Sequence, residues 1–158
     1  MTKTLKTMLA LTACALPLAA CGGDTEQPVG PDSPARSGSD APQVVMEQNV
    51  GGLQSQAGAN LNLPAGFPDD VAHYPALNIY GANTIPNMGF SLAALADGSP
   101  DDVTAFYARE MVALGWTEAA NAPSGPGHLL RFEKDGRVAT FNLIPNGSTT
   151  TLSVTVLN

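Results

Sequence analysis

The 158-residue chain holds two cysteines, Cys14 and Cys21, and none after them. A domain built beyond residue 21 therefore has no thiol for a disulfide, a zinc site or a nucleophile, and its stability must come from packing. Basic residues are also scarce. Lys3 and Lys6 precede Cys21 and every carboxylate follows it, so the chain from Cys21 onward has five Lys and Arg against 14 Asp and Glu, a formal charge of −9. That balance excludes nucleic acid and anionic headgroups as partners, because both are bound by displacing counterions with basic side chains. The apolar run at 8–18 is too short to span a bilayer as a permanent helix. Imidazole is confined to His73 and His128, and no nucleophile elbow or phosphate-cradling glycine loop is present; Gly125-Pro126-Gly127 reads as a plain loop.

What is present at the N-terminus is an address. Lys3 and Lys6 form a positive region ahead of the apolar run, the pattern of a secretory signal peptide over residues 1–20. Leu18-Ala19-Ala20-Cys21-Gly22 then resembles the lipobox of bacterial lipoproteins. The resemblance implies cleavage before Cys21, transfer of diacylglycerol to its thiol, and anchoring by two or three fatty acyl chains such as palmitate, enough for stable attachment where a single chain is not. Gly22 in place of Asp implies sorting to the outer membrane rather than the inner one, with the domain facing the periplasm.

Residues 22–60 are crowded with Gly, Pro, Ser, Asp and Gln and hold no aromatic residue. Such a composition cannot bury enough apolar surface to offset chain entropy, so residues 21–60 are expected to be the lipidated cysteine and a disordered tether spanning roughly 31–37 Å.

The folded domain is expected over 61–158. Ser99 is a natural N-cap, Pro100 suits the first helical position, and Asp101 and Asp102 complement the helix dipole. Val103, Phe106, Tyr107, Met111 and Leu114 form one apolar stripe, and Gly115 ends a helix over 100–114 with Trp116 folding back on it. Met88, Phe90, Leu92, Ala94 and Ala96 alternate as in a strand. Asp135-Gly136 and Asn146-Gly147 favour two-residue hairpin turns. Counting outward from them pairs Phe132 with Ala139, Leu130 with Phe141 and His128 with Leu143, then Leu143 with Thr150, Phe141 with Leu152 and Ala139 with Val154. One face is then apolar, with Leu130, Phe132, Phe141, Leu143, Leu152, Val154 and Val156; the other carries Arg131, Glu133, Thr140, Asn142, Thr151, Ser153 and Thr155. Shorter strands at 77–80 and 116–120 complete the expected sheet. The expected fold class is α+β, a two-layer sandwich in which one main helix packs on one face of a twisted antiparallel sheet.

From Leu63 to Val156 the spacing Leu63-Pro64, Phe67-Pro68-Asp69-Asp70-Val71, Tyr74-Pro75, Ser99-Pro100, Phe106-Tyr107 and Gly115-Trp116 resembles a module of bacterial envelope lipoproteins without assigned activity. That likeness implies fold and location but no catalytic residues.

The remaining candidates have plainer readings. His128 falls at the rim of the apolar face, and His73 in a loop. Asp69-Asp70 and Asp101-Asp102 could hold calcium, but paired carboxylates at a helix start more often complement its dipole. Trp116, Phe106 and Tyr107 could line a pocket for an aromatic or sugar, yet their spacing suits core. No cofactor, metal or catalytic residue is expected. The hydroxyl-rich face of Arg131, Thr140, Thr151, Ser153 and Thr155 is the candidate binding face, and Cys21 the lipidation site. These features point to a non-enzymatic envelope lipoprotein that binds or scaffolds another envelope protein. A small-ligand or glycan binder is the alternative, and an enzyme is the reading the residues support least.

Overall fold

A computed structural model describes residues 41–158; Cys21, the signal peptide and the first part of the expected tether lie outside the described residues. Eight strands form one antiparallel sheet: β1 (Gln43–Val50), β2 (Leu53–Ala59), β3 (Leu77–Ile85), β4 (Gly89–Asp97), β5 (Thr117–Ser124), β6 (Gly127–Lys134), β7 (Arg137–Asn146) and β8 (Thr149–Leu157). Their order across the sheet is β1-β2-β3-β4-β8-β7-β6-β5. The chain thus builds one meander to the sheet centre, crosses through helix α1 (Pro100–Ala113) to the far edge, and returns by a second meander to lay β8 beside β4.

This corrects the expected fold class. One 14-residue helix stands against eight strands, so the domain is β-rich, a single antiparallel sheet, and not an α+β two-layer sandwich. The error came from undercounting strands. Residues assigned to the tether form β1 and β2, joined by Gly51-Gly52 at φ 60° and 86°, the positive pair that a type I′ turn requires. Strands β3 and β5 are also longer than the short segments expected at 77–80 and 116–120. Cross-strand pairing decided the outcome: β2 pairs with β3 from Gln54–Thr84 to Ala57–Gly81, and polar residues join a sheet readily when a neighbouring edge offers backbone partners.

The helix follows its sequence signals. Ser99 Oγ accepts from the Asp102 amide at 3.2 Å, and Pro100 opens the helix. At the other end Gly115 adopts φ 86°, its amide donates to Val112 O, and the Trp116 amide reaches back to Met111 O, a Schellman termination. The buried stripe is Val103, Thr104, Tyr107 and Met111; Leu114, expected in it, is instead substantially exposed. α1 covers β5 to β8, and the segment 61–76 packs Leu61, Phe67, Val71 and Ala72 into the same core. Thr104 Oγ1 is a buried hydroxyl without a hydrogen-bond partner among the described residues.

In the second meander Lys134 faces Arg137 around Asp135-Gly136, and Phe132–Ala139, Leu130–Phe141 and His128–Leu143 pair as counted. The last turn differs. Asn146 faces Thr149, so the loop is Gly147-Ser148, and the pairs become Leu143–Leu152, Phe141–Val154 and Ala139–Val156. Gly147 has φ 63° while Asn146 and Ser148 stay out of the positive region, which suits a type II′ turn with glycine first; Asn146 O accepts from Thr149 Oγ1 at 2.9 Å. The slip moves each partner by two residues, an even number, so inside and outside are unchanged.

Candidate functional site

On one side α1 and the segment 61–76 build the core against the sheet; the other side is open, and its side chains fall into rows because paired residues on adjacent strands point the same way. Following the register from β6 to the β1 edge, Arg131 (β6) pairs with Thr140 (β7), Thr140 with Thr155 (β8), and Thr155 with Ser91 (β4). Ser91 then pairs with Asn83 (β3), Asn83 with Ser55 (β2), and Ser55 with Gln48 (β1). Seven consecutive strands each contribute one polar side chain to a single line. At about 4.8 Å between strands it runs roughly 29 Å.

Three of the five residues singled out in the sequence, Arg131, Thr140 and Thr155, lie in this row. Ser153 sits in the adjoining row between Asn142 and Ala93, and Thr151 one row further, between Ile144 and Leu95. All five therefore share the open face, although not one line. The sequence reading missed Ser91, Asn83, Ser55 and Gln48. Ser91 was within reach, since it alternates with Phe90 and Leu92; Ser55 and Gln48 were hidden by the assignment of their strands to the tether.

Charge in this row is small and internally matched. Arg131 Nη2 and Nε donate to Glu133 Oε1 at 3.0 and 3.2 Å, two residues along the same strand. The row is otherwise hydroxyl and amide. Such a surface offers donors and acceptors together and no net field, which suits a polar, uncharged face of a partner.

The other candidates resolve into structure. Asp70 is clasped by two cations of the β6–β7 hairpin: Arg137 donates to both of its oxygens at 2.9 and 2.6 Å, and Lys134 Nζ donates to Oδ2 at 2.7 Å. The Arg137 bonds, partly opposed by desolvation and aided by Lys134, hold the Asp70 carboxyl well below the usual carboxylate range. Those oxygens are committed to cations within the protein, which removes Asp70 as a calcium ligand. Asp102 is engaged with Ser99, whose Oγ donates to its carboxylate at 2.6 Å, and Asp69 remains exposed. His128 Nε2 lies 3.0 Å from Asp101 Oδ1, tying β6 to the start of α1, and the His73 ring stacks 5.8 Å from Phe67. Among the described residues no group of three or more His, Cys, Asp or Glu converges as a metal site would require.

Trp116 is 2% exposed, its indole N–H donates to Asp70 O at 2.6 Å, and the Arg137 guanidinium lies 4.9 Å from its ring centre. Its faces are occupied, so it does not line a sugar platform. Tyr107 is buried 4.4 Å from Phe141, and Phe106 meets Tyr74 edge-on at 5.1 Å. Residues 121–127, which include the loop Gly125-Pro126-Gly127, are the β5–β6 hairpin, exposed from Asn121 to Pro126. A cleft of about 280 Å³ lies elsewhere, between the segment at 61–65 and the core side of β1 to β3.

No family model, curated protein or solved structure matches the chain.

Proposed function

We propose that the protein is a lipid-anchored envelope lipoprotein whose domain binds another envelope protein through the open face of its sheet, without catalysing a reaction. The observation that carries this reading is the row from Arg131 to Gln48, polar on seven adjacent strands and unbroken by a bulky apolar side chain. A surface kept only for solubility in so acidic a chain is usually built of charged residues. This one is built of hydroxyls and amides, which bind in both directions without a desolvated charge. The lipobox-like Leu18-Ala19-Ala20-Cys21 supplies the anchor, and Gly22 directs it to the outer membrane. The module-like spacing from Leu63 to Val156 agrees with that location. The enclosed position of Trp116 weighs against the glycan-binding alternative.

The test uses two substitutions in the full chain expressed in its own cells. Cys21→Ala should abolish acyl labelling and stop cleavage by the lipoprotein peptidase. Thr155→Lys, which places a long cation in the middle of the row, should remove the co-purifying envelope protein while leaving the melting temperature within a few degrees of the parent. Normal acylation of the Cys21→Ala chain contradicts the anchor. An undiminished complex with Thr155→Lys contradicts the binding face.

A further inference from the structure

The two edges of the sheet are built differently. β5 is defended: it contains Pro123, a bulge between Glu118 and Ala120, and the charge of Glu118. β1 has no Pro and no Lys, its eight residues are all exposed, and they include Val45 at 83% and Val50 at 72% exposure. Its one irregularity is a bulge between Val44 and Met46. From Met46 to Val50 the strand is regular and, among the described residues, no strand pairs with its outer backbone groups, which are a template for another strand.

We propose that two copies of this chain pair antiparallel through Met46 to Val50, across a two-fold axis that sets Gln48 opposite Gln48 of the second copy. Three observations select a second copy as the occupant. The five-residue segment is complementary to itself in this register: Met46 meets the second copy's Val50, and Glu47 meets its Asn49. Charge permits the contact. Glu47 is the only charged residue in 41–59 of an acidic chain, so two identical copies approach through this edge with little repulsion. The register also separates the two Glu47 carboxylates, whereas an axis through Glu47 would set them face to face. Finally, Gln48 ends the polar row, and pairing it with itself extends that row without a break from seven strands to fourteen. The proposal therefore deepens the binding-face reading, yet its geometry stands if that face binds nothing.

Five paired residues on each side form a small interface, so the association is weak and reversible and is best read by covalent trapping. In the full chain, Gln48→Cys under mild oxidation should give a disulfide-linked dimer at least tenfold above the background set by the parent chain treated in the same way. Thr117→Cys, on the opposite edge, should stay at background. Adding Val50→Lys to Gln48→Cys should cut the dimer by about tenfold without lowering the melting temperature, because the lysine faces the second copy's Met46. Equal trapping from positions 48 and 117, insensitivity to Val50→Lys, or a mixed disulfide with a different protein in place of the dimer would each overturn the proposal. Failure of Thr155→Lys to affect partner binding would leave this result untouched, so the two readings fail separately.

Discussion

Replacing Phe141 with Ala is expected to lower the unfolding free energy by about 3–5 kcal/mol, whereas Thr140→Ala, one residue away, should change it by about half a kcal/mol or less. Phe141 is fully buried, its ring centre lies 4.4 Å from that of Tyr107 and 5.8 Å from that of Phe132, and it pairs across the sheet with Leu130 and Val154. Truncation loses the transfer free energy of a benzyl group. It also opens a cavity between α1 and the middle of the second meander, where rigid strands on both sides resist collapse. Thr140 points to the open face, where Ala leaves no buried group without a partner. Denaturant melts of the two variants decide the matter. A larger loss for Thr140 would invert the faces of the sheet, and the polar row would then be core.

Asp70→Asn should cost about 1.5–3 kcal/mol at neutral pH, and the difference from the parent should shrink in acid. The side chain keeps its shape but loses the charge that draws Arg137 and Lys134 together, leaving two cations that are themselves less than a quarter exposed. Since the folded carboxyl is held below its ordinary range, the ionised form is the one that stabilises the fold. That contribution is complete above the unfolded value of about 4 and is lost as pH falls through it towards the folded value. Urea titrations at pH 7 and pH 2.5 should therefore show a wide gap between parent and variant at the first and a narrower one at the second. Equal gaps would mean that the loss in the variant does not come from the charge of Asp70.

The same clasp shows where reading the sequence stops. Asp70 meets Lys134 and Arg137 from 64 and 67 residues away, and no local pattern announces such a pair. Local signals performed well where the physics is local. Ser99-Pro100 opened the helix and Gly115 closed it, because caps answer to backbone groups within four or five residues. Asp135-Gly136 set the register of β6 on β7, because a two-residue turn leaves one way to pair the strands. Asn146-Gly147 misled by two residues, since the glycine served a II′ turn and not a I′ turn. The larger error lay in 43–59. Gly51-Gly52 is a hairpin signal, but its flanks, Gln43-Val44-Val45-Met46-Glu47 and Gln54-Ser55-Gln56-Ala57, do not alternate apolar with polar, and composition alone reads them as tether. What holds them is the edge of β3, a partner far along the chain. The candidate face was legible on three strands and invisible on the rest for the same reason.

Site-specific photo-crosslinking from living cells tests the binding face most directly. A crosslinking residue placed at Thr155 or Asn83, both in the polar row, should yield one discrete adduct with the same envelope protein. The same residue at Val112, exposed on the helix side of the domain, should not. Identical adducts from all three positions, or an adduct confined to Val112, would contradict the claim that this domain works through the open face of its sheet.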